Sequence, residues 1–242
     1  MTGTFPYRLC EDPRPRFGAV VLQVDETVEE DLRHAFPPDA ARLHVSRVPS
    51  GAELTAGTIA EMEGHLTRAA ALLPAVPHDA VAYACTSGTS LIGAVRVADL
   101  IRAGCDCAHV TNPLTAALAA FSEIGAARIA LVSPYIAEVA EPIRAAFVAA
   151  GHEVPSAVSF GERVEARVAR IDPASIREAA LRALDGSGAD CVFLSCTNLR
   201  TREILPALSA ETGRPVLSSN HVLAWHMARL AGIEAPRLHA TS

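Results

Sequence analysis

Short β-branched apolar runs alternate with longer stretches rich in Ala, Leu and Arg from one end of the 242-residue chain to the other. We expect strands at 17–23, 43–48, 80–84, 107–110, 128–132, 153–159, 190–194 and 214–217. We expect helices at 27–35, 58–73, 91–103, 114–124, 136–149, 173–184, 202–211 and 220–231. This alternation predicts an α/β fold of parallel sheets with helices on both faces.

The composition excludes several classes of protein. Half of the residues are apolar and 20% are charged, which is typical of a chain that buries a core. The formal net charge of −6 lacks the positive excess that favours nucleic acid as a partner. All 21 basic residues are arginine, so a lysine Schiff base, a lysine-anchored pyridoxal phosphate and a Walker A loop are excluded.

The location of the protein is predicted from its apolar segments. The first residues contain no apolar signal region, and the chain has no uncharged apolar run of 18 residues. We therefore expect a cytoplasmic protein that does not bind a membrane. Its six cysteines would be thiols there, not a disulfide framework.

A weak internal repeat divides the chain. The segment 80–87 (Ala-Val-Ala-Tyr-Ala-Cys-Thr-Ser) is an apolar strand that ends in Cys-Thr, and 191–198 (Cys-Val-Phe-Leu-Ser-Cys-Thr-Asn) is similar. We expect two pseudo-symmetric α/β halves, formed by residues 17–111 plus 218–235 and by residues 112–217, after a tail at 1–16. Ligands bind at the carboxyl ends of parallel strands, so Cys85 and Cys196 should meet in the cleft between the halves.

The two Cys-Thr turns suggest thiol chemistry. A cysteine just before a helix feels the positive end of the helix dipole, which lowers its pKa and increases the thiolate fraction. Neighbouring hydroxyl, amide and backbone N–H groups could donate hydrogen bonds to a carboxylate or an oxyanion. The candidate donors are Thr86, Ser87, Gly88, Thr197 and Asn198. This pattern predicts two thiols facing one substrate, one as base or nucleophile and the other as acid.

Other interpretations remain open at this point. Each cysteine could simply fill a buried strand end, and the chain could be a small-acid binder without catalysis. Cys196 and Arg202 have the spacing of a phosphatase loop, although the residues between them include no glycine to form a tight amide cradle. Cys105, Cys107 and His109 lack the second ligand pair that a zinc site needs, so we expect no metal.

Three motifs resemble the aspartate/glutamate racemase superfamily, in particular its maleate cis–trans isomerase branch. They are 84–89 (Ala-Cys-Thr-Ser-Gly-Thr), 131–135 (Leu-Val-Ser-Pro-Tyr) and 195–201 (Ser-Cys-Thr-Asn-Leu-Arg-Thr). The resemblance implies two flavodoxin-like halves, a reaction without a cofactor on a small carboxylate, and a homo-oligomer. It also implies that Cys85 is the nucleophile or base, that Cys196 is the proton donor or acceptor, and that Tyr135 binds a carboxylate.

The sequence departs from the maleate isomerase pattern at two positions. Asp25, in Val-Asp-Glu-Thr ending at Thr27, and Glu165 stand where that branch has asparagines. An ionised carboxylate only accepts hydrogen bonds and repels a substrate carboxylate, so the change favours an ammonium or amide at that end. The Asp-Glu-Thr pattern resembles the ectoine-utilisation A proteins, whose substrate would be an amino acid derivative. Alternatively, Asp25 only caps the first helix.

The sequence therefore predicts a cofactor-independent isomerase of a small carboxylic acid that resembles maleate isomerase. A racemase of an amino acid derivative is the alternative. Arylmalonate decarboxylase resembles the same fold but has only the second cysteine, so the presence of Cys85 argues against that activity.

Overall fold

The computed structural model describes residues 3–53 and 55–238. The strands are β1 Arg16–Leu22, β2 Arg42–Val48, β3 His78–Ala84, β4 Cys107–Thr111, β5 Arg128–Tyr135, β6 Glu153–Glu162, β7 Cys191–Leu194 and β8 Val216–Ser218. The helices are α1 Val28–Ala35, α2 Ala56–Ala70, α3 Thr86–Ile92, α4 Ala94–Arg102, α5 Pro113–Glu123, α6 Ala137–Ala149, α7 Glu165–Val168, α8 Pro173–Leu184, α9 Leu205–Thr212 and α10 Ser219–Leu230.

The strands form two four-stranded sheets in which every pairing is parallel. Their orders are β2-β1-β3-β4 and β6-β5-β7-β8, so the second sheet repeats the order of the first. The central strands are buried on both faces because helices cover both sides, which explains their nearly continuous apolar sequence. The predicted α/β fold with two similar halves is confirmed.

Helix α10 links the two sheets. It follows β8 of the second sheet, but Leu223 and Met227 lie in one apolar cluster with Phe17 and Val21 of β1. Other residues of α10 pack with α5 and the second sheet. This packing fits the predicted assignment of 218–235 to the first half, and that division of the chain stays a prediction.

Residues 1 and 2 of the predicted tail lie outside the described residues.

The structure corrects two parts of the predicted element pattern. The helix predicted at 91–103 begins only after Gly93, as α4, because Gly93 has a φ of 92°, a conformation that suits glycine, and residues 86–92 before it form the separate helix α3, most of which the sequence did not predict. The run at 161–170 contains the short helix α7, which the sequence did not predict. Within the described residues, no helix is long and apolar enough to cross a membrane.

Candidate active site

Cys85 lies directly after β3, at the start of α3. Its Sγ accepts the backbone N–H of Gly88 at 3.2 Å and lies 3.6 Å from the Ser87 hydroxyl. The side chain is nearly closed off from solvent, with 2% exposure. Burial raises the pKa of Cys85 to about 11, although the Ser87 and Gly88 contacts oppose this increase. The expected net lowering of this pKa is therefore wrong, because the loss of hydration outweighs the donors at the helix start.

Cys196 follows the end of β7 and is also buried. Its Sγ accepts the N–H of Asn198 at 3.2 Å and lies 2.9 Å from the Tyr135 hydroxyl. Burial, followed by the nearby charge of Glu165, raises the pKa of Cys196 well above its usual range. The next helix, α9, begins only at Leu205, so this thiol does not lie at a helix start as its counterpart does.

Both thiols border one small cavity at the carboxyl ends of the two sheets, which we call the thiol cavity. It is lined by Leu22, Asp25, Cys85, Thr86, Ser87, Tyr135, Glu165, Cys196 and Thr197. The predicted meeting of the two cysteines between the halves is therefore present. The cavity has a volume of about 10 Å³, which is room for roughly one water molecule. A substrate can enter only after the site opens.

Glu165 occupies the donors that the sequence assigned to a substrate carboxylate. The Tyr135 hydroxyl donates to Glu165 Oε1 at 2.6 Å, and Asn198 Nδ2 donates to Oε2 at 3.1 Å. The Glu165 side chain is 2% exposed, and burial raises its pKa despite these two hydrogen bonds. Burial also raises the pKa of Tyr135, which keeps its proton. The chain thus places one of its own carboxyl groups where a substrate carboxylate was expected.

The position of Asp25 is compatible with both roles that the sequence left open, which are capping of the first helix and contact with a substrate. Its Oδ1 accepts the N–H groups of Thr27 and Val28, each at 2.8 Å, which is a capping contact at the start of α1. Its Oδ2 has no partner among the described residues, and the side chain borders the thiol cavity. Burial raises the pKa of Asp25, and the two N–H donors oppose this increase.

The remaining predicted residues connect the strand ends. Thr27 donates to the carbonyl of Asn198 at 3.1 Å, and Thr197 donates to the carbonyl of Ala84 at 3.3 Å. Thr27 itself does not border the thiol cavity. A Cβ at Gly88 would collide with the Tyr83 hydroxyl, so only glycine fits at that position.

Two residues near the thiols, Ser219 and Tyr83, were not predicted from the sequence. Ser219 Oγ accepts the N–H of Cys196 at 3.1 Å and lies 2.8 Å from the Thr86 hydroxyl. Tyr83 lies under the first turn of α3, beside Cys85. Ser219 comes from a third segment of the chain, and Tyr83 looks like an ordinary core residue in its strand. No local sequence signal marks either one.

The structure gives no support to the phosphatase interpretation. Arg202 donates to Glu30 at 3.0 Å and also pairs with Asp31, and it does not border the thiol cavity. Among the described residues, no three His, Cys, Asp or Glu side chains form a group that could hold a metal ion.

Two matching parallel sheets, with a thiol from each at their shared edge, define a two-lobed α/β protein with a two-thiol site, as the resemblance to the aspartate/glutamate racemase superfamily implies. The family model described as arylmalonate decarboxylase matches residues 52–241, and the chain belongs to this family.

Individual relatives include both decarboxylases and isomerases. The arylmalonate decarboxylase of Bordetella bronchiseptica is 33% identical over 147 residues, which is 60% of this chain and 60% of that enzyme. The maleate isomerase of Geobacillus stearothermophilus is 26% identical over 84% of this chain and 86% of that enzyme. The fold matches a mutant of Nocardia farcinica maleate cis–trans isomerase with a covalently bound succinylcysteine intermediate. That match has a TM-score of 0.82 at 23% identity, covering 93% and 97% of the two chains. The expected resemblance to maleate isomerases is confirmed.

Proposed function

We propose that this protein is a cofactor-independent isomerase of a small carboxylic acid that uses Cys85 and Cys196 as a pair. The supporting observation is that both sulfur atoms border the same buried cavity, each with hydrogen-bond donors at its side. The maleate isomerase relatives support an isomerase of this kind.

The proposed reaction begins with the Cys85 thiolate. Its sulfur adds to one alkene carbon of a cis-unsaturated acid, and the π electron pair moves to the other carbon, which takes a proton from the Cys196 thiol. The former double bond is now single and rotates. The Cys196 thiolate then removes the other proton of that carbon, which the rotation has brought opposite the sulfur, the double bond reforms, and the sulfur–carbon bond breaks to release the trans acid. Each thiol returns to its starting state, so no oxidant or reductant is needed.

The neighbours of the thiols fit these two roles. The Gly88 N–H and the Ser87 hydroxyl stabilise the Cys85 thiolate. The Tyr135 hydroxyl lies 2.9 Å from the Cys196 sulfur and could support its negative charge in the same way. Burial raises the pKa of Cys85 to about 11 and, together with the charge of Glu165, raises the pKa of Cys196 well above its usual range. Cys196 therefore keeps its proton and is suited to act as the acid, while Cys85 supplies the thiolate from the small fraction that its donors stabilise.

A second candidate is the racemisation of an amino acid derivative. The observation that favours it is the pair of carboxyl groups, Asp25 and Glu165, at a cavity whose lining, within residues 3–53 and 55–238, includes no arginine or histidine. Such a site fits a cation better than the second carboxylate of a diacid. In this reaction one thiolate removes the Cα proton, and the other thiol returns a proton from the opposite face. For this candidate reaction, the substrate class that we propose is an amino acid derivative from ectoine utilisation.

The two candidates can be separated by one set of nuclear magnetic resonance experiments. The protein is incubated with maleate and, separately, with single enantiomers of amino acids and their N-acyl derivatives in deuterated water. Appearance of the trans diacid supports the first candidate, whereas deuterium at Cα with loss of optical activity supports the second. Release of carbon dioxide from an arylmalonate in place of either result would show a decarboxylase and refute the proposal.

Substitutions of the thiols test the pairing. Cys85→Ser and Cys196→Ser should each keep the fold, because a hydroxyl of similar size replaces each thiol, and should each abolish turnover. The exposed Cys10 provides the matched control, since Cys10→Ser should retain full activity. Activity that survives either cavity substitution would contradict a two-thiol mechanism.

We propose in addition that the protein is a cytoplasmic homo-oligomer. The resemblance to the racemase superfamily implies an assembly of identical chains, and most oligomers are closed assemblies of identical chains. Size-exclusion chromatography with light scattering tests this, and a monomer at micromolar concentration would refute it.

A further inference from the structure

Tyr83 presents a buried hydroxyl group that the proposed reaction has not yet used. It lies in β3, its side chain is 0% exposed, and its hydroxyl has no hydrogen-bond partner among the described residues. An unpaired buried hydroxyl costs free energy, and phenylalanine would fill the same space without this cost. A hydroxyl at this position therefore requires a physical reason.

The Tyr83 hydroxyl and the Cys85 sulfur border the same space. Residues two apart in a strand point to the same face of a sheet, so both side chains lie beneath the first turn of α3. A Cβ added to Gly88 would collide with the Tyr83 hydroxyl and would lie 2.9 Å from Cys85 Sγ. Glycine at 88 thus allows the phenol, the thiol and the helix backbone to come together.

We infer that the Tyr83 hydroxyl donates a hydrogen bond to the Cys85 thiolate when that thiolate forms, and so increases its population. With the neutral thiol, the hydroxyl is close but makes no hydrogen bond. Tyr83 is a residue that acts through Cys85 and not one that touches the substrate. This inference rests on the proposed function, in which the Cys85 thiolate is the reacting species.

The protonation states agree with this role. Burial raises the pKa of Tyr83 well above its usual range, so the phenol keeps its proton and is a donor at every working pH. Burial raises the pKa of Cys85 to about 11, and the Tyr83 hydroxyl is among the groups that oppose this increase. A buried thiolate needs each available donor, because a charged group without hydration is otherwise unstable.

The second half has a related arrangement with a different partner. The Tyr135 hydroxyl lies 2.9 Å from Cys196 Sγ but also donates to Glu165. Each thiol therefore has one tyrosine beside it. Because only Tyr135 is shared with a carboxylate, Tyr83 is free to respond fully to a negative charge on its sulfur.

The test measures the pKa of Cys85 without any substrate. Tyr83→Phe and the unchanged protein are alkylated with iodoacetamide over a range of pH values, and the modified peptides are quantified by mass spectrometry. Trypsin cuts after Arg68 and Arg96, which gives a peptide of residues 69–96 whose single cysteine is Cys85. Tyr7→Phe is the matched control, since Tyr7 is 82% exposed in the tail.

We expect Tyr83→Phe to raise the apparent pKa of Cys85 by about one unit, which lowers the thiolate fraction about tenfold at a fixed pH below it. Alkylation of the peptide containing Cys105 and Cys107 should keep its pH dependence, and so should Cys85 in the Tyr7→Phe control. The value of kcat/KM should fall by a similar factor at neutral pH and recover as the pH rises. An unchanged pH profile of Cys85 in Tyr83→Phe would overturn the inference.

A second variant keeps the test decisive if Tyr83→Phe does not fold. Replacement of Tyr83 by 3-fluorotyrosine keeps the hydroxyl but makes it a stronger donor, so the apparent pKa of Cys85 should fall. A constant or increased pKa would refute the inference. Both measurements follow the thiol itself, so they give an answer even if neither proposed reaction is observed.

Discussion

The hydrogen bond from Tyr135 to Glu165 allows a test of the site through protein stability. Tyr135→Phe removes the hydroxyl that donates to Glu165 Oε1 at 2.6 Å, and no other donor to that oxygen is found among the described residues. Phenylalanine keeps the ring and its packing. The substitution therefore leaves one buried carboxylate oxygen without a partner and also removes the hydroxyl beside the Cys196 sulfur.

The expected loss follows from the burial of both groups. An unpaired buried polar group costs about 1–3 kcal/mol, and a charged one is at the upper end of this range. Glu165 is 2% exposed, so water cannot replace the lost donor without opening the site. We expect the free energy of unfolding to fall by about 2–3 kcal/mol at neutral pH, which in a chain of this size lowers the Tm by about 4–12 °C.

The loss should depend on pH in a defined direction. Burial raises the pKa of Glu165 above its value in the unfolded chain, so its ionisation destabilises the fold as the pH rises through the folded-state pKa. The Tyr135 hydroxyl offsets part of this effect only when Glu165 is ionised. Tyr135→Phe should therefore cost more stability at pH 8 than at pH 4.5, where Glu165 keeps its proton.

Urea unfolding followed by circular dichroism at the two pH values measures the difference. Glu165→Gln provides the matched background, because its side chain stays neutral at both pH values. In that background the effect of Tyr135→Phe should be smaller and should not change with pH. An equal loss at both pH values in the unchanged background would refute the assignment of a buried, ionisable Glu165 as the partner of Tyr135.

Three further predictions concern the rest of the site. Asp25→Asn should stabilise the protein more at pH 8 than at pH 4, because asparagine keeps the acceptor at the start of α1 and removes a buried carboxyl group whose pKa is raised. Thermal unfolding at both pH values measures this, and destabilisation at pH 8 would contradict it. Arg170→Ala removes the exposed ion pair between Arg170, which follows α7, and Glu26, which precedes α1. If this pair helps to hold the two segments together beside Asp25 and Glu165, alkylation of Cys85 should accelerate by at most about fivefold, and slower alkylation would contradict this. Gly88→Ala should lower the Tm by several degrees and reduce activity because its Cβ collides with neighbouring atoms, whereas a fully stable and active variant would contradict the crowded contact.

Much of the architecture could be predicted because it depends on local patterns. Strand and helix periods recur along the chain, and the two Cys-Thr turns identify the strand ends that meet. The same local reasoning missed most of α3 and ran the predicted helix 91–103 through Gly93, since it gave no weight to that glycine. It also predicted no helix at 165–168, where Glu165 at the start of α7 is buried.

The sequence by itself determined the class of fold, the absence of lysine chemistry and the identity of the two thiols, because these follow from composition, short-range periodicity and an internal repeat. Only the tertiary structure decided how the thiols are surrounded. Glu165 meets Tyr135 and Asn198, each about 30 residues away in sequence, and Ser219 reaches both Thr86 and Cys196 from the last helix. Those contacts, together with burial, set the pKa values and close the cavity. Neither effect has a local signature, because desolvation depends on everything that packs around a group and not on its neighbours in the chain.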